Sequence, residues 1–270
     1  MGMPKVGKKA VRTRKLQEDS RGVLYIVTGA QYTQAAIHSA RLVARTNPGL
    51  AIAIFTDQEI QEPGLFSHVR KIEAHESRRK HEFVHLTPFE RTLYMDSDTI
   101  VTTALGDLFQ LLDKYDVAAA HVRRRDSMFR LRSFKADVPR SFPQVNCGVM
   151  LYRMNERMEA LFARWREIYN EGGFRRDQIP FREALWHSDA RLYVLPPEYN
   201  QRDFVTLGTR LPLTRIFHLK FLNWPNWRHV LVMKIIFAYT RRKWRAYERE
   251  LELAASDGLK GQFTGLKTDA

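Results

Sequence analysis

The stretch Thr92-Leu93-Tyr94-Met95-Asp96-Ser97-Asp98-Thr99-Ile100-Val101 is an apolar run of strand type that ends in two carboxylates at i and i+2, then returns to β-branched residues. Side chains so spaced on an extended segment point to one side. Asp96 and Asp98 can therefore converge on one cation. Ligands of open α/β sheets bind at the carboxyl ends of strands, and hard oxygen ligands there suit Mg²⁺ or Mn²⁺ carrying a diphosphate. The chemistry implied is transfer of a group from a metal-bound nucleotide.

The elements that must position this pair follow from hydrophobic periodicity. Val23 to Val27 reads as a strand, Thr28-Gly29-Ala30 as a turn, and Tyr32 to Arg45 as a helix whose apolar residues largely share a face; Asn47-Pro48-Gly49 ends it. Leu50 to Phe55, Val69 to Ile72, Arg91 to Met95 and Tyr115 to His121 are further strands, with a helix over Arg78 to Leu86. Alternation of strand and helix predicts a parallel sheet covered on both faces. Neither Gly-x-Gly-x-x-Gly nor a P-loop is present, so phosphate must be held another way, and a metal is the obvious substitute. In the second half, residues 123–143 form a loop or helix rich in Arg and Phe. Strands follow at Val145 to Tyr152, Leu192 to Leu195 and Arg215 to Leu219, and helices at Asn155 to Asn170 and Asp177 to Trp186. Asn226 to about Ala255 reads as a long, basic, amphipathic helix.

The 270 residues fit one large domain with appendages, and 44% apolar content is enough for a core. The net charge of +14 favours anionic partners. It is concentrated in the first fifteen residues, in Arg123-Arg124-Arg125 with Arg130, Arg132 and Lys135, and in Arg241-Arg242-Lys243 with Arg245. A nucleic-acid-binding protein is one class this charge raises. No binding motif and no basic stripe interleaved with aromatics supports it, and no nucleic acid partner is expected. A nucleotidyltransferase is a second class, but it would show a Gly-rich basic loop where Thr28-Gly29-Ala30-Gln31 stands. The single cysteine, Cys147, allows no internal disulfide, and no His/Asp set marks it as a nucleophile. His75, His81 and His85 lack a cysteine partner for zinc. The basic N-terminus has no apolar core of a secretory signal, and no run reaches the roughly 18 apolar residues of a membrane span.

From Pro88-Phe89-Glu90-Arg91 through the aspartate pair, the sequence resembles the family 8 retaining glycosyltransferases, typified by glycogenin and the bacterial lipopolysaccharide galactosyltransferases. The resemblance continues in order over residues 22 to 225. Thr28 and Tyr32 stand where the family holds the nucleotide base. Lys80, sixteen residues before Asp96, stands at a basic position near the sugar and diphosphate, with Arg78 and Arg79 as alternatives. Asn146-Cys147-Gly148 is similar to the Asn-x-Gly segment that meets the donor sugar, and Asp177-Gln178 to a pair near the anomeric carbon. Leu195-Pro196-Pro197-Glu198-Tyr199-Asn200 looks like the Leu-Pro-x-x-x-Asn loop, and His218 occupies the place of the third metal ligand. The sequence departs after His218: Leu219-Lys220-Phe221-Leu222-Asn223-Trp224-Pro225 lacks the family's glycine and Lys-Pro-Trp, so Lys220 is matched to the diphosphate lysine at altered spacing.

The resemblance implies a mixed α/β fold of GT-A (Rossmann-like) type, a mostly parallel central sheet flanked by helices, with a C-terminal amphipathic helix. The expected parts are a basic disordered arm (1–21), the catalytic domain (22–225) and a basic helix and tail (226–270). The implied metal ligands are Asp96, Asp98 and His218, and the imidazole shifts preference towards Mn²⁺ over Mg²⁺. Donor contacts fall to Thr28, Tyr32, Asp96, Ser97, Asn146, Gly148 and Lys220, and catalytic roles to Asp177, Gln178 and Lys80. The expected activity is metal-dependent, retaining transfer of a hexosyl group from a nucleotide sugar, with UDP-sugar first, to a glycan, lipid-linked or protein acceptor. The expected location is cytoplasmic, peripheral at the inner face of an anionic membrane through the C-terminal helix.

Overall fold

The computed structural model describes residues 20–73, 80–122, 134–135, 137–174, 176–202 and 214–220, and eight residues of a further helix between 231 and 249. The N-terminal arm, His75, Arg78, Arg79, residues 123–133 and most of 221–270 lie outside the described residues. The chain runs β1 (Arg21–Val27), α1 (Ala30–Thr46), β2 (Ala51–Thr56), β3 (His68–Lys71), α2 (Lys80–Phe83), β4 (Arg91–Met95), β5 (Thr99–Val101), β6 (Val117–His121), β7 (Val145–Arg153), α3 (Glu156–Glu171), α4 (Gln178–Trp186), β8 (Leu192–Leu195) and β9 (Ile216–His218). Short 3₁₀ turns lie at Val84–Leu86, Gly106–Asp113 and Pro197–Tyr199.

Seven strands form one sheet in the order β3-β2-β1-β4-β7-β6-β8. The pairs β1–β2, β1–β4, β2–β3 and β6–β8 are parallel, whereas β7 runs antiparallel to both β4 and β6. The sheet is thus mostly parallel, as expected, with one strand reversed in its middle. β1, β2 and β7 read as nearly continuous apolar runs because both of their faces are covered. One face packs Val23, Tyr25, Ile52, Leu93 and Leu151 against α1 (Ala36, Ala40, Val43) and the 3₁₀ segment (Leu108, Phe109, Leu112). The other packs Leu24, Tyr94, Met150 and Tyr152 against α3 (Leu161, Phe162, Trp165) and α4 (Phe181, Ala184).

The sequence reading ends the strand Arg91 to Met95 at the aspartates and assigns no strand to Thr99–Val101. In the structure β5 instead leaves the main sheet after a turn and pairs antiparallel with β9, as a separate two-stranded ribbon. That detour joins the first half of the chain to its last strand.

Asp116 ties the second half together. Its buried carboxylate accepts hydrogen bonds from Asn155 Nδ2 (2.9 Å), the Arg191 backbone N–H (2.9 Å) and Arg191 Nε (3.0 Å). Asn155 in turn caps α3, its side chain accepting from Met158 N. Burial raises the Asp116 pKa, but the bonds from Arg191, Asn155 and Arg157 outweigh it and hold the group well below the usual carboxylate range. Asp116→Ala strands the Arg191 amide and should cost about 2 kcal/mol in urea unfolding. Because the folded pKa is depressed, this contribution is complete above the unfolded value of about 3.9 and fades as pH falls towards the folded one. The gap between wild type and variant should shrink below about pH 4; a gap constant from about pH 5 to 3 contradicts it.

Candidate active site

β4 ends at Met95, and Asp96-Ser97-Asp98 forms the turn into β5, closed by Thr99 Oγ1 donating to the Asp96 carbonyl at 2.8 Å. The carboxylates converge because the chain turns there, not because they share one pleat of an extended strand. His218 arrives through pairing: β9 sets it opposite Thr99, and the amide N–H groups of His218 and Leu219 donate to the carbonyls of Gln201 and Asp98, each at 2.8 Å. Among the described residues, Asp96, Asp98 and His218 form a group whose ligand atoms lie within 4.8 Å of one another.

These donors fit a divalent cation. Octahedral ligands at about 2.1 Å from a metal stand about 3 Å apart. His218 Nε2 is 3.1 Å from Asp98 Oδ1 and 3.6 Å from Asp96 Oδ2. Asp98 and His218 are buried, and Asp96 is partly exposed. Gly148 supplies the space: a Cβ there would lie 2.2 Å from His218 Cε1 and 2.6 Å from Asp96 Oδ2.

Asp96 divides its two oxygens. Oδ2 faces the histidine, while Oδ1 accepts from Tyr94 OH (2.7 Å) and Lys80 Nζ (3.0 Å). Lys80 also donates to the Cys147 carbonyl (2.9 Å) and pairs with Asp177 Oδ2 (2.9 Å), so its three N–H bonds have three protein acceptors. Burial opposes the ammonium charge, but Asp177 and Asp96 outweigh that and hold the Lys80 pKa well above the ordinary lysine value. Burial likewise opposes ionisation of Asp96, but the Lys80 ammonium and the hydrogen bond from Tyr94 keep it well below the carboxylate range. A buried ammonium thus lies between two carboxylates, those of Asp96 and Asp177.

The remaining expected residues surround this centre. Asn146 is buried, its Oδ1 accepting from Gly148 N at 2.9 Å and Asn200 Nδ2 at 3.2 Å. Asp177 precedes α4 and Gln178 is that helix's first residue; Trp165 Nε1 anchors the junction by donating to the Asp177 carbonyl at 2.9 Å. Ser97 is buried in the aspartate turn. Thr28 lies at the carboxyl end of β1 and Tyr32 on the first turn of α1, 37% exposed. Lys220 is exposed, two residues beyond His218. Cys147 is buried, and burial, then Asp177, pushes its thiol pKa well up.

Two side chains of the site were not singled out by sequence. Tyr94 could have been, since strand alternation puts it on the side of Asp96. Asp57, whose Oδ1 accepts from Gly29 N at 2.8 Å and so holds the β1–α1 turn, is visible only as a polar end to β2. Asn200 was legible as the end of the loop resembling Leu-Pro-x-x-x-Asn, but its partners stand 18 and 54 residues away, and no local signal gives its role there.

No protein-family model and no curated protein matches the sequence. Solved structures do match. The galactosyltransferase LgtC, in complex with donor and acceptor sugar analogs, superposes with a TM-score of 0.55 at 13% identity, covering 73% of this chain and 86% of that one. The apo form of the glycosyltransferase GlyE of Streptococcus pneumoniae TIGR4 gives 0.53 at 20% identity, covering 85% of this chain and 64% of that one. The bifunctional glycosyltransferase WbbM, also apo, gives 0.52 at 16% identity, covering 76% and 46%. The fold is GT-A. At these identities the likeness is one of architecture, and the chemistry of the GT-A centre rests on the residues described above.

Gly148→Ala should test that centre. Its φ is not in the left-handed region, so the methyl is excluded by space rather than by backbone conformation. Overpacking of this kind costs about 1–3 kcal/mol. Mn²⁺ affinity, read by titration calorimetry, should fall at least about tenfold while the far-ultraviolet circular dichroism stays unchanged. Wild-type affinity in this variant would show that the three ligands do not need that cradle.

Proposed function

We propose that this chain is a metal-dependent, retaining glycosyltransferase that moves a hexosyl group from a nucleotide sugar, UDP-sugar first, to a glycan, lipid-linked or protein acceptor. The observation that carries the reading is the meeting of Asp96, Asp98 and His218 at the end of β4 in a GT-A fold, with Asp177 tied to the same cluster through Lys80. Asp96, Asp98 and His218 are the residues that would hold Mn²⁺ (or Mg²⁺), which supplies Lewis acidity towards a departing nucleoside diphosphate.

The roles of the chain's own residues follow. Thr28 and Tyr32 receive the base beside β1. Lys220, exposed past His218, offers a positive charge to the diphosphate. Asn146 keeps its amide N–H₂ for the donor sugar, because its oxygen is taken by Gly148 and Asn200. Lys80 acts through its neighbours, holding Asp96 and Asp177 in place. Asp177 and Gln178 stabilise positive charge at the anomeric carbon or bind sugar hydroxyls. In a front-face substitution the anomeric C–O bond to the diphosphate breaks, the acceptor oxygen bonds on the same face, and its proton passes to the leaving phosphate oxygen. No separate base is needed. Trapping of a glycosyl adduct on Asp177 would sink this route.

UDP should bind to the purified protein with Mn²⁺, lose affinity in EDTA, and fail to bind Asp98→Ala; a panel of UDP-sugars should then reveal slow, Mn²⁺-dependent hydrolysis of one. Absence of binding in every condition rejects UDP as the donor nucleotide.

Peripheral attachment to an anionic membrane is favoured by a separate observation. Leu231, Lys234, Ile235, Ala238, Tyr239, Arg242, Arg245 and Arg249 are helical and exposed, and their spacing puts them along one face. Leu231, Ile235 and Tyr239 are 50%, 60% and 42% exposed, an apolar stripe that runs into three arginines. Such a face suits the headgroup boundary. Among the described residues no helix is long and apolar enough to cross a membrane. The protein should cosediment with anionic liposomes at low salt and be released by high salt; equal recovery in the supernatant with and without anionic lipid defeats this attachment.

A further inference from the structure

We infer that Asn200 is a positioning residue that sets the tautomer of His218, and that the direction of this control originates in the backbone N–H of Gly148. The inference rests on the proposed metal centre and deepens it. A backbone N–H can only donate. Gly148 N points at Asn146 Oδ1 (2.9 Å), which fixes that atom as the acceptor of the Asn146 amide. Asn200 lies 3.2 Å from the same oxygen through its Nδ2, so it must donate there. Its Oδ1 then faces His218 Nδ1 at 2.8 Å and can only accept. The proton of a neutral His218 is therefore held on Nδ1, and the Nε2 lone pair is turned towards Asp98 Oδ1 and Asp96 Oδ2.

The alternative arrangement is internally inconsistent. Reversing the Asn200 amide would set its Oδ1 against Asn146 Oδ1, two acceptors with no proton between them, in a place where both residues are buried. Left to itself, a neutral imidazole beside two carboxylates would place its proton on Nε2 and donate to Asp98, which would remove the third ligand. The Gly148–Asn146–Asn200 chain prevents that. It leaves three acceptor atoms facing one space with no proton among them, a deficit that a cation satisfies. Metal-binding histidines depend on such a partner for their other nitrogen, and loss of that partner costs about 10–100-fold in metal affinity. Asn200 is itself held firmly. It follows the Pro197–Tyr199 turn, its own N–H donates to the Pro197 carbonyl at 3.0 Å, and it is 5% exposed.

Two measurements on the full chain without nucleotide test this. Free Mn²⁺ counted by electron paramagnetic resonance should show Asn200→Leu binding about 10–100-fold more weakly than wild type. Asn200→Gln, which keeps both an acceptor for Nδ1 and a donor for Asn146 Oδ1, should recover part of that affinity. In metal-free wild type labelled with ¹⁵N-histidine, long-range proton–nitrogen spectra at a pH where imidazoles are neutral should show His218 protonated on Nδ1. The signal is identified by its disappearance in His218→Gln. Wild-type Mn²⁺ affinity in Asn200→Leu, or an Nε2–H tautomer in wild type, overturns the inference. Failure of wild type itself to bind Mn²⁺ contradicts the metal centre instead, and the tautomer seen in the spectra then decides the role of Asn200 alone. If Asn200→Leu does not fold, Asn200→Gln and the spectra carry the test.

Discussion

At the end of β4 two carboxylates and an imidazole crowd together, with His218 Nε2 at 3.1 Å from Asp98 Oδ1 and 3.6 Å from Asp96 Oδ2, and everything around them serves to make that tolerable. Like groups so close are unfavourable unless opposite charge is brought in. Half of the compensation is built into the protein: Lys80, buried, lies against Asp96 Oδ1 and Asp177 Oδ2. The other half is left open on the Asp96 Oδ2 side, where Asp98 and His218 complete a donor set fit for a cation. Removing Lys80 would leave two carboxylates without their buried counter-charge, a loss of several kcal/mol by the usual cost of breaking a buried pair.

The sheet explains how residues far apart in sequence reach this spot. β1, β2 and β4 run parallel and end on one side, which brings the β1–α1 turn, Asp57 and the aspartate turn to the same edge. β7 runs the other way beside β4, so its beginning, Asn146 to Gly148, lies next to the end of β4; the Asp96 amide donates to the Gly148 carbonyl at 2.7 Å. A parallel β7 would have put Asn146 at the opposite end of the sheet. The β5–β9 ribbon then sets His218 beside Asp98. The reversed strand and the ribbon are the two departures from a simple parallel sheet, and both act on the centre.

Local pattern made the first half of the fold legible. Val23 to Val27, Tyr32 to Arg45 and Leu50 to Phe55 lie within β1, α1 and β2 as observed or miss them by a residue at one end, because each is decided by neighbours within a few positions. The reversal of β7 was not legible, since an apolar strand covered on both faces reads the same in either direction. β5 was not set apart as a strand because only its partner, over a hundred residues on, distinguishes it. At the site, the Asp96–Asp98 pair announced itself by spacing, whereas His218, Asn146 and Asp177 stood out through resemblance to a known family. The links between them were invisible: Lys80 meets Asp177, and Asn200 meets His218, only through the tertiary fold.

The central claim is that Asp96, Asp98 and His218 hold one divalent cation. Crystals of the protein grown with Mn²⁺ and measured at the manganese absorption edge would test it most directly. The account predicts one strong anomalous peak bonded to Asp96 Oδ2, Asp98 Oδ1 and His218 Nε2. No peak at saturating Mn²⁺, or a peak held by other residues while these three stay unligated, would contradict it.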